Sequence, residues 1–118
     1  MSKFKQLRVW QNSIELDSKI QDSLKILPDN FYMNIKDQVK RSSISISSNI
    51  AEGSGRGTDK DYVRFLRIAL SSSYELESQL ALLKNSSLVD FTDHESKLSE
   101  IQIQLRALIK YLNPPVRR

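Results

Sequence analysis

The chain has no cysteine, a single histidine, one tryptophan, and only three glycines and three prolines in 118 residues. Without thiols there is no disulfide framework and no thiolate chemistry. Glycine and proline are too sparse, and too concentrated in a few places, for the many turns of an all-β fold; long helices are the better expectation. No apolar run approaches the roughly 18 residues that a membrane span needs, so no membrane partner is expected. The opening MSKFKQLRVW carries charge but no apolar h-region, unlike a secretory signal, and a cytoplasmic location is the simplest expectation. What is present is ordinary for one globular domain over residues 1–118: 39% hydrophobic and 27% charged residues. The formal net charge of +4 is basic without reaching the density of a dedicated nucleic-acid module. No segment is a charge block, so a basic surface must be made by folding, or by repeating the fold in an oligomer.

Four segments have helical periodicity. The first covers about residues 7–27, with Val9, Leu16, Ile20, Leu24 and Leu27 recurring at helical spacing until Pro28-Asp29-Asn30 breaks it. The third covers about 59–84, where Tyr62, Leu66, Ala69, Ser73, Leu76, Leu80 and Leu83 keep the 4-3-4-3-4-3 spacing of a bundle seam. Thr58, with Asp61 three residues on, reads as its capping box. The fourth covers about 93–112, with Thr92 and Glu95 as a second cap-like pair. It carries Leu98, Ile101, Leu105, Leu108 and Leu112, and Pro114-Pro115 forbid its continuation.

The second segment, about 31–52, contains SISISS, which alternates like a strand. At 100° per residue, however, Ile35, Val39, Ser43, Ile46 and Ile50 gather on one face, and the flanks agree with a helix. Gly53 then reads as the C′ residue, in the left-handed conformation that glycine adopts most cheaply. Its many serines make this helix intrinsically poor, so packing must hold it. Short connections between long amphipathic helices give an all-α, antiparallel, up-down-up-down four-helix bundle.

The glycine stretch Gly53 to Gly57 lacks the spacing, the lysine and the preceding strand of a phosphate-binding loop, so it reads as a turn. His94 lies in the first turn of helix four and reads as a solvated side chain. The Glu-x-x-His pairs of a di-iron bundle are absent, since position 91 is Phe91. Glu75 and Glu77 point to different sides of one helix and cannot act as a paired acid and base. The expectation is a non-enzyme with no cofactor and no metal.

Helix two also carries a polar ridge, Gln38, Arg41, Ser45, Asn49 and Glu52, at 3-4-4-3 spacing. It reads as solvated, or as a network against Ser72, Glu75 and Gln79 of helix three, with Arg41 in a structural ion pair to Glu52 or Glu75. Serines 42, 43, 45 and 47 opposite Ser71 to Ser73 would let the two helices approach closely. Ile44 and Ala51 lie roughly opposite the core face, and Phe65 and Ile68 lie off the helix-three seam. These four are the candidate self-association surface. Lys60, Arg64 and Arg67, with Arg56 just before them, form a basic stripe. It is either an ordinary solvated face or a set of phosphate contacts multiplied around a ring. Lys110, Arg117 and Arg118 of the basic tail (113–118 with the helix end before it) could contribute in the same way. No aromatic interleaving suggests base stacking along the stripe, so backbone-directed binding is expected.

Together, VWQ at 9–11, QVKRSSISISSNIAEGSGR at 38–56 and FLRIALSSSYELESQL at 65–80 resemble the four helix bundle protein family, also called the 23S rRNA intervening-sequence protein family. The resemblance implies an antiparallel four-helix bundle assembled as a homopentameric ring, and an unsettled activity. That family is similar in turn to the accessory proteins of diversity-generating retroelements, basic barrels that bind nucleic acid and a reverse transcriptase; this is an analogy about function. The motif residues carried over are Gln38, Arg41, Ser45, Asn49, Glu52, Gly53 and Arg56. Ser47, Lys40 and Asn34 stand where many members have proline, arginine and glycine. The expected function is association with RNA or DNA, structured RNA foremost; the alternative is a scaffold ring that recruits another protein.

Overall fold

The computed structural model describes residues 3–86 and 88–114, with the side chain of residue 31 left aside. A short 3-10 turn, Lys3–Gln6, leads into four helices: α1 Arg8–Leu24, α2 Asp29–Ser54, α3 Asp59–Lys84 and α4 Thr92–Leu112. Helices adjacent in sequence pack together and α1 packs on α4, closing a bundle whose diagonal pairs stay apart. Side-chain pairs descend along one helix as they ascend the other: Asn12–Gln104 and Ser23–His94 between α1 and α4, Glu77–Gln102 and Tyr74–Arg106 between α3 and α4. Neighbours are therefore antiparallel. The molecule measures 53 × 34 × 21 Å.

The core follows the periodic positions. Leu66, Ala69, Leu76 and Leu80 of α3 are fully buried, as are Ile20 of α1, Val39 and Ile50 of α2, and Ile101 and Leu105 of α4. On α4 the stripe shifts near its end, where Ile109 is buried and Leu108 and Leu112 are only partly so. α1 stops at Leu24, earlier than its apolar spacing suggests, yet Leu27 still packs into the core from the turn. α2 begins at Asp29 because Pro28, with φ −64 and ψ 136, supplies an extended residue immediately before it.

In serine-rich α2, two of the buried hydroxyls find partners. Ser43 Oγ donates to Asp17 Oδ1 at 2.7 Å, and Ser47 Oγ donates back to the Ile44 carbonyl at 3.3 Å. The turn between α1 and α2 is held by Lys36, whose buried ammonium donates to the Leu27 carbonyl and, at 2.8 Å, to Asp29 Oδ1. The hydrogen bond to Lys36 holds the Asp29 carboxyl below its ordinary range.

Two helix ends differ in how they use their capping patterns. Thr58 Oγ1 accepts from the Asp61 amide at 3.2 Å, as its sequence predicts. The Thr92/Glu95 pattern is not used that way. Asp90 Oδ1 accepts instead from the Thr92 amide at 2.9 Å and from Thr92 Oγ1 at 2.6 Å, and these bonds lower the Asp90 pKa.

His94 corrects a second expectation: it is buried, not solvated. Ser23 Oγ lies 2.9 Å from its Nε2 and the Phe91 ring packs edge-on with centroids 5.1 Å apart. It is part of the α1/α4 interface.

Candidate nucleic-acid interface and the polar cleft beside it

At Gly53, α2 and α3 approach too closely for a side chain. This residue is buried inside α2, one residue before the last, and the helix is capped by Gly55 with φ −87. The expected left-handed C′ role is therefore overturned. What requires glycine is distance: a Cβ built there would lie 2.8 Å from Phe65 Cβ and 3.2 Å from the Tyr62 carbonyl oxygen. A side chain would push the two helices apart.

This close approach assembles the basic end of the molecule. The guanidinium carbons of Arg56 and Arg64 lie 4.7 and 4.6 Å from the centroid of the Phe65 ring, which is thus held by two cation–π contacts. Arg56 also pairs with Glu52 at 3.2 Å and Arg64 with Asp61 at 3.5 Å. Sequence spacing does not reveal Phe65 as part of the basic stripe, because the α2–α3 turn, not helical periodicity, brings Arg56 to it. Next to them, Lys60, Arg64 and Arg67 line a hollow of about 560 Å³ with Val63, Leu112 and Asn113, so the start of α3 and the end of α4 share one end of the bundle. Lys110 is exposed in the last turn of α4; Arg117 and Arg118 lie outside the described residues. Glu52, Asp59 and Asp61 offset much of this charge.

The polar ridge faces α3. Ser45 Oγ and Ser72 Oγ share a hydrogen bond at 2.8 Å, and Asn49 Nδ2 donates to the Ser45 carbonyl at 2.8 Å and to its hydroxyl at 3.0 Å. Beyond this pair lies an open polar cleft of about 360 Å³ lined by Gln38, Arg41, Ser42, Ser45, Ser72, Glu75 and Gln79, with Gln38, Arg41 and Glu75 exposed. The expected Arg41 ion pair is not formed: among the described residues Arg41 pairs with neither Glu75 nor Glu52, and Glu52 is engaged by Arg56. The Gln79 Oε1 atom is buried with no hydrogen-bond partner.

Of the candidate association residues, Ile44 and Ile68 are 48% and 40% exposed, while Ala51 and Phe65 are half-buried. Among the described residues no group of histidine, cysteine and carboxylate side chains is placed to hold a metal ion, and no helix is long and apolar enough to cross a membrane.

An all-α bundle with a polar α2/α3 interface and a cationic end defines the class of the molecule. Residues 5–110 match the family model for the 23S rRNA-intervening sequence protein, and the chain belongs to that family. It is also similar to a crystal structure of a protein with unknown function from the S23 ribosomal protein family of Bacteroides thetaiotaomicron. The TM-score is 0.78 at 28% identity, covering 86% of this chain and 98% of that one. No curated protein matches the chain.

Proposed function

We propose that the protein is a non-enzymatic homo-oligomer, a pentameric ring, that associates with nucleic acid, structured RNA foremost, through the cationic end of each bundle. The observation that carries this reading is the gathering of Arg56, Lys60, Arg64 and Arg67 at one end, with Phe65 between two of the guanidiniums. Cations of this kind meet phosphates without reading sequence, and arginine adds planar, paired donors. One subunit supplies few such contacts, so binding gains strength when several ends are presented together. The half-exposed Ile44 and Ile68 give a second copy an apolar surface to cover.

A ring that recruits another protein is the second reading. Ile26, Met33, Leu82 and Leu88 are all more than half exposed and cluster in sequence around the α1–α2 and α3–α4 turns, at the end opposite the cations. Native mass spectrometry of protein purified without nuclease separates the two, since it reports subunit number and co-purifying nucleic acid together. A pentamer carrying RNA supports the first reading. A stable monomer with nothing bound contradicts both, and a bare oligomer that captures RNA poorly favours the second.

A further inference from the structure

The α2/α3 cleft has a chemistry that the basic end does not use. Arg41 offers up to five N–H donors and no acceptor, and Glu75 offers only acceptors. The two line the same hollow without pairing, and the buried Gln79 Oε1 beside them is an acceptor without a donor. The floor is already satisfied, because Ser45 and Ser72 bond to each other. Small side chains there let a flat group approach the two helices closely. An occupant that engages both exposed groups must bring donors for Glu75 and acceptors for Arg41. A lone phosphate would meet the Glu75 carboxylate, and a lone cation would meet the Arg41 guanidinium.

From this, and resting on the RNA-association reading above, we infer that the cleft holds one unpaired guanine base. Guanine is the RNA base with two adjacent N–H donors, N1–H and the N2 amino group, which together match a carboxylate. Its O6 and N7 acceptors suit a guanidinium. Adenine, cytosine and uracil each lack that donor pair. A volume of about 360 Å³ is within the range of small-ligand sites.

The position of the cleft fits a strand already held at the basic end. Arg64, Ile68, Ser71 and Glu75 follow one another at 4-3-4 spacing on α3, so the cation and the carboxylate share a face. They stand about 16 Å apart along the helix axis. In this arrangement Arg56 and Arg64 take phosphates and the cleft takes the base, so that positioning and sequence readout fall to different residues of the same bundle.

The test is fluorescence anisotropy with labelled oligouridine octamers carrying one central guanine, adenine, cytosine or hypoxanthine. The wild-type protein should bind the guanine oligomer about tenfold more tightly than the adenine and cytosine ones, in line with the roughly 5- to 150-fold discrimination of a well-made bidentate pair. Hypoxanthine, which lacks the N2 amino group, should lose most of that margin. Glu75→Gln should level the four affinities without changing their salt dependence or the thermal melt. Binding that is intact but equal for all four oligomers overturns the cleft inference and leaves RNA association standing. If no oligomer binds, RNA association fails; guanosine 5′-monophosphate against adenosine 5′-monophosphate, titrated by calorimetry, then tests the cleft alone, and equal or absent heats overturn it. A Glu75→Gln protein that changes subunit number in native mass spectrometry, with no guanine preference in the wild type, also overturns it and assigns the cleft to a second copy.

Discussion

Gly53 of α2 lies against Phe65 of α3 with no room for a methyl group: a Cβ on Gly53 would come within 2.8 Å of the Phe65 Cβ. The atom in the way is the root of a side chain, which cannot swing aside without moving α3. The same residue pair fixes the separation of the two helices that carry the basic end and the polar cleft.

Gly53→Ala should therefore destabilise the fold by about 1–3 kcal/mol, the usual cost of overpacking, and lower RNA affinity with it. Gly57→Ala provides the contrast, since a Cβ there meets nothing within 4 Å. It should be neutral or slightly stabilising, by up to about 1 kcal/mol. Urea denaturation of both variants measures the difference; equal stabilities would contradict the close-approach account.

Lys36→Met should cost about 1–3 kcal/mol, because it leaves the Leu27 carbonyl without its donor in the α1–α2 turn. Asp29→Asn should cost far less. Its carboxylate side chain is 65% exposed and the Lys36 ammonium keeps the carbonyl contact without it. Chemical denaturation of the two variants checks the ranking, and a costlier Asp29→Asn would reverse the argument.

Asp90, one residue before the N-cap, accepts from the first amide of α4, and the Thr92 hydrogen bonds lower its pKa from the ordinary value of 3.8. A group with a depressed folded pKa stabilises above its unfolded value and loses that contribution as pH falls through the folded one. Asp90→Ala should thus melt a few degrees below wild type at neutral pH. The difference in melting temperature should shrink once the pH drops below about 3.8. A gap that persists unchanged in acid would show that the carboxylate charge is not what holds that amide.

The combined change Ile44→Glu and Ile68→Glu should leave the monomer folded, since both side chains are roughly half exposed, and should shift the native mass toward a single subunit. Circular dichroism checks the fold and native mass spectrometry the mass. An oligomer of unchanged size would place the subunit interface elsewhere.

Much of the bundle is legible in the residues. The α3 seam is buried from Leu66 to Leu83, with Tyr62 partly exposed at its start, and the helical reading of SISISS holds because Val39, Ile46 and Ile50 share a face that alternation does not explain. What the residues conceal has a common physical origin in groups distant along the chain. The neighbours of Gly53 suggest a need for backbone freedom, while its constraint comes from Phe65 across a turn. The place of His94 in a first helical turn suggests solvent, while its burial is set by Ser23, 71 residues away. Thr92 matches a capping box, but the helix starts one residue earlier: the Glu95 amide bonds to the Phe91 carbonyl, and the Thr92 amide is taken by Asp90. Spacing alone reveals the polar ridge, yet it does not show that Arg41 and Glu75 stay apart around a cleft.

The central claim is that the cationic end binds RNA by its phosphates. It is tested most directly by the salt dependence of RNA affinity for wild type and for the triple variant Arg56→Glu, Arg64→Glu and Arg67→Glu. The wild type should weaken steeply with salt, and every phosphate that the variant no longer neutralises should reduce the log–log slope by about 0.7–0.9. A folded triple variant with much weaker binding and a flatter slope is the predicted result. A folded variant that binds RNA as tightly as wild type, with the same slope, would contradict it.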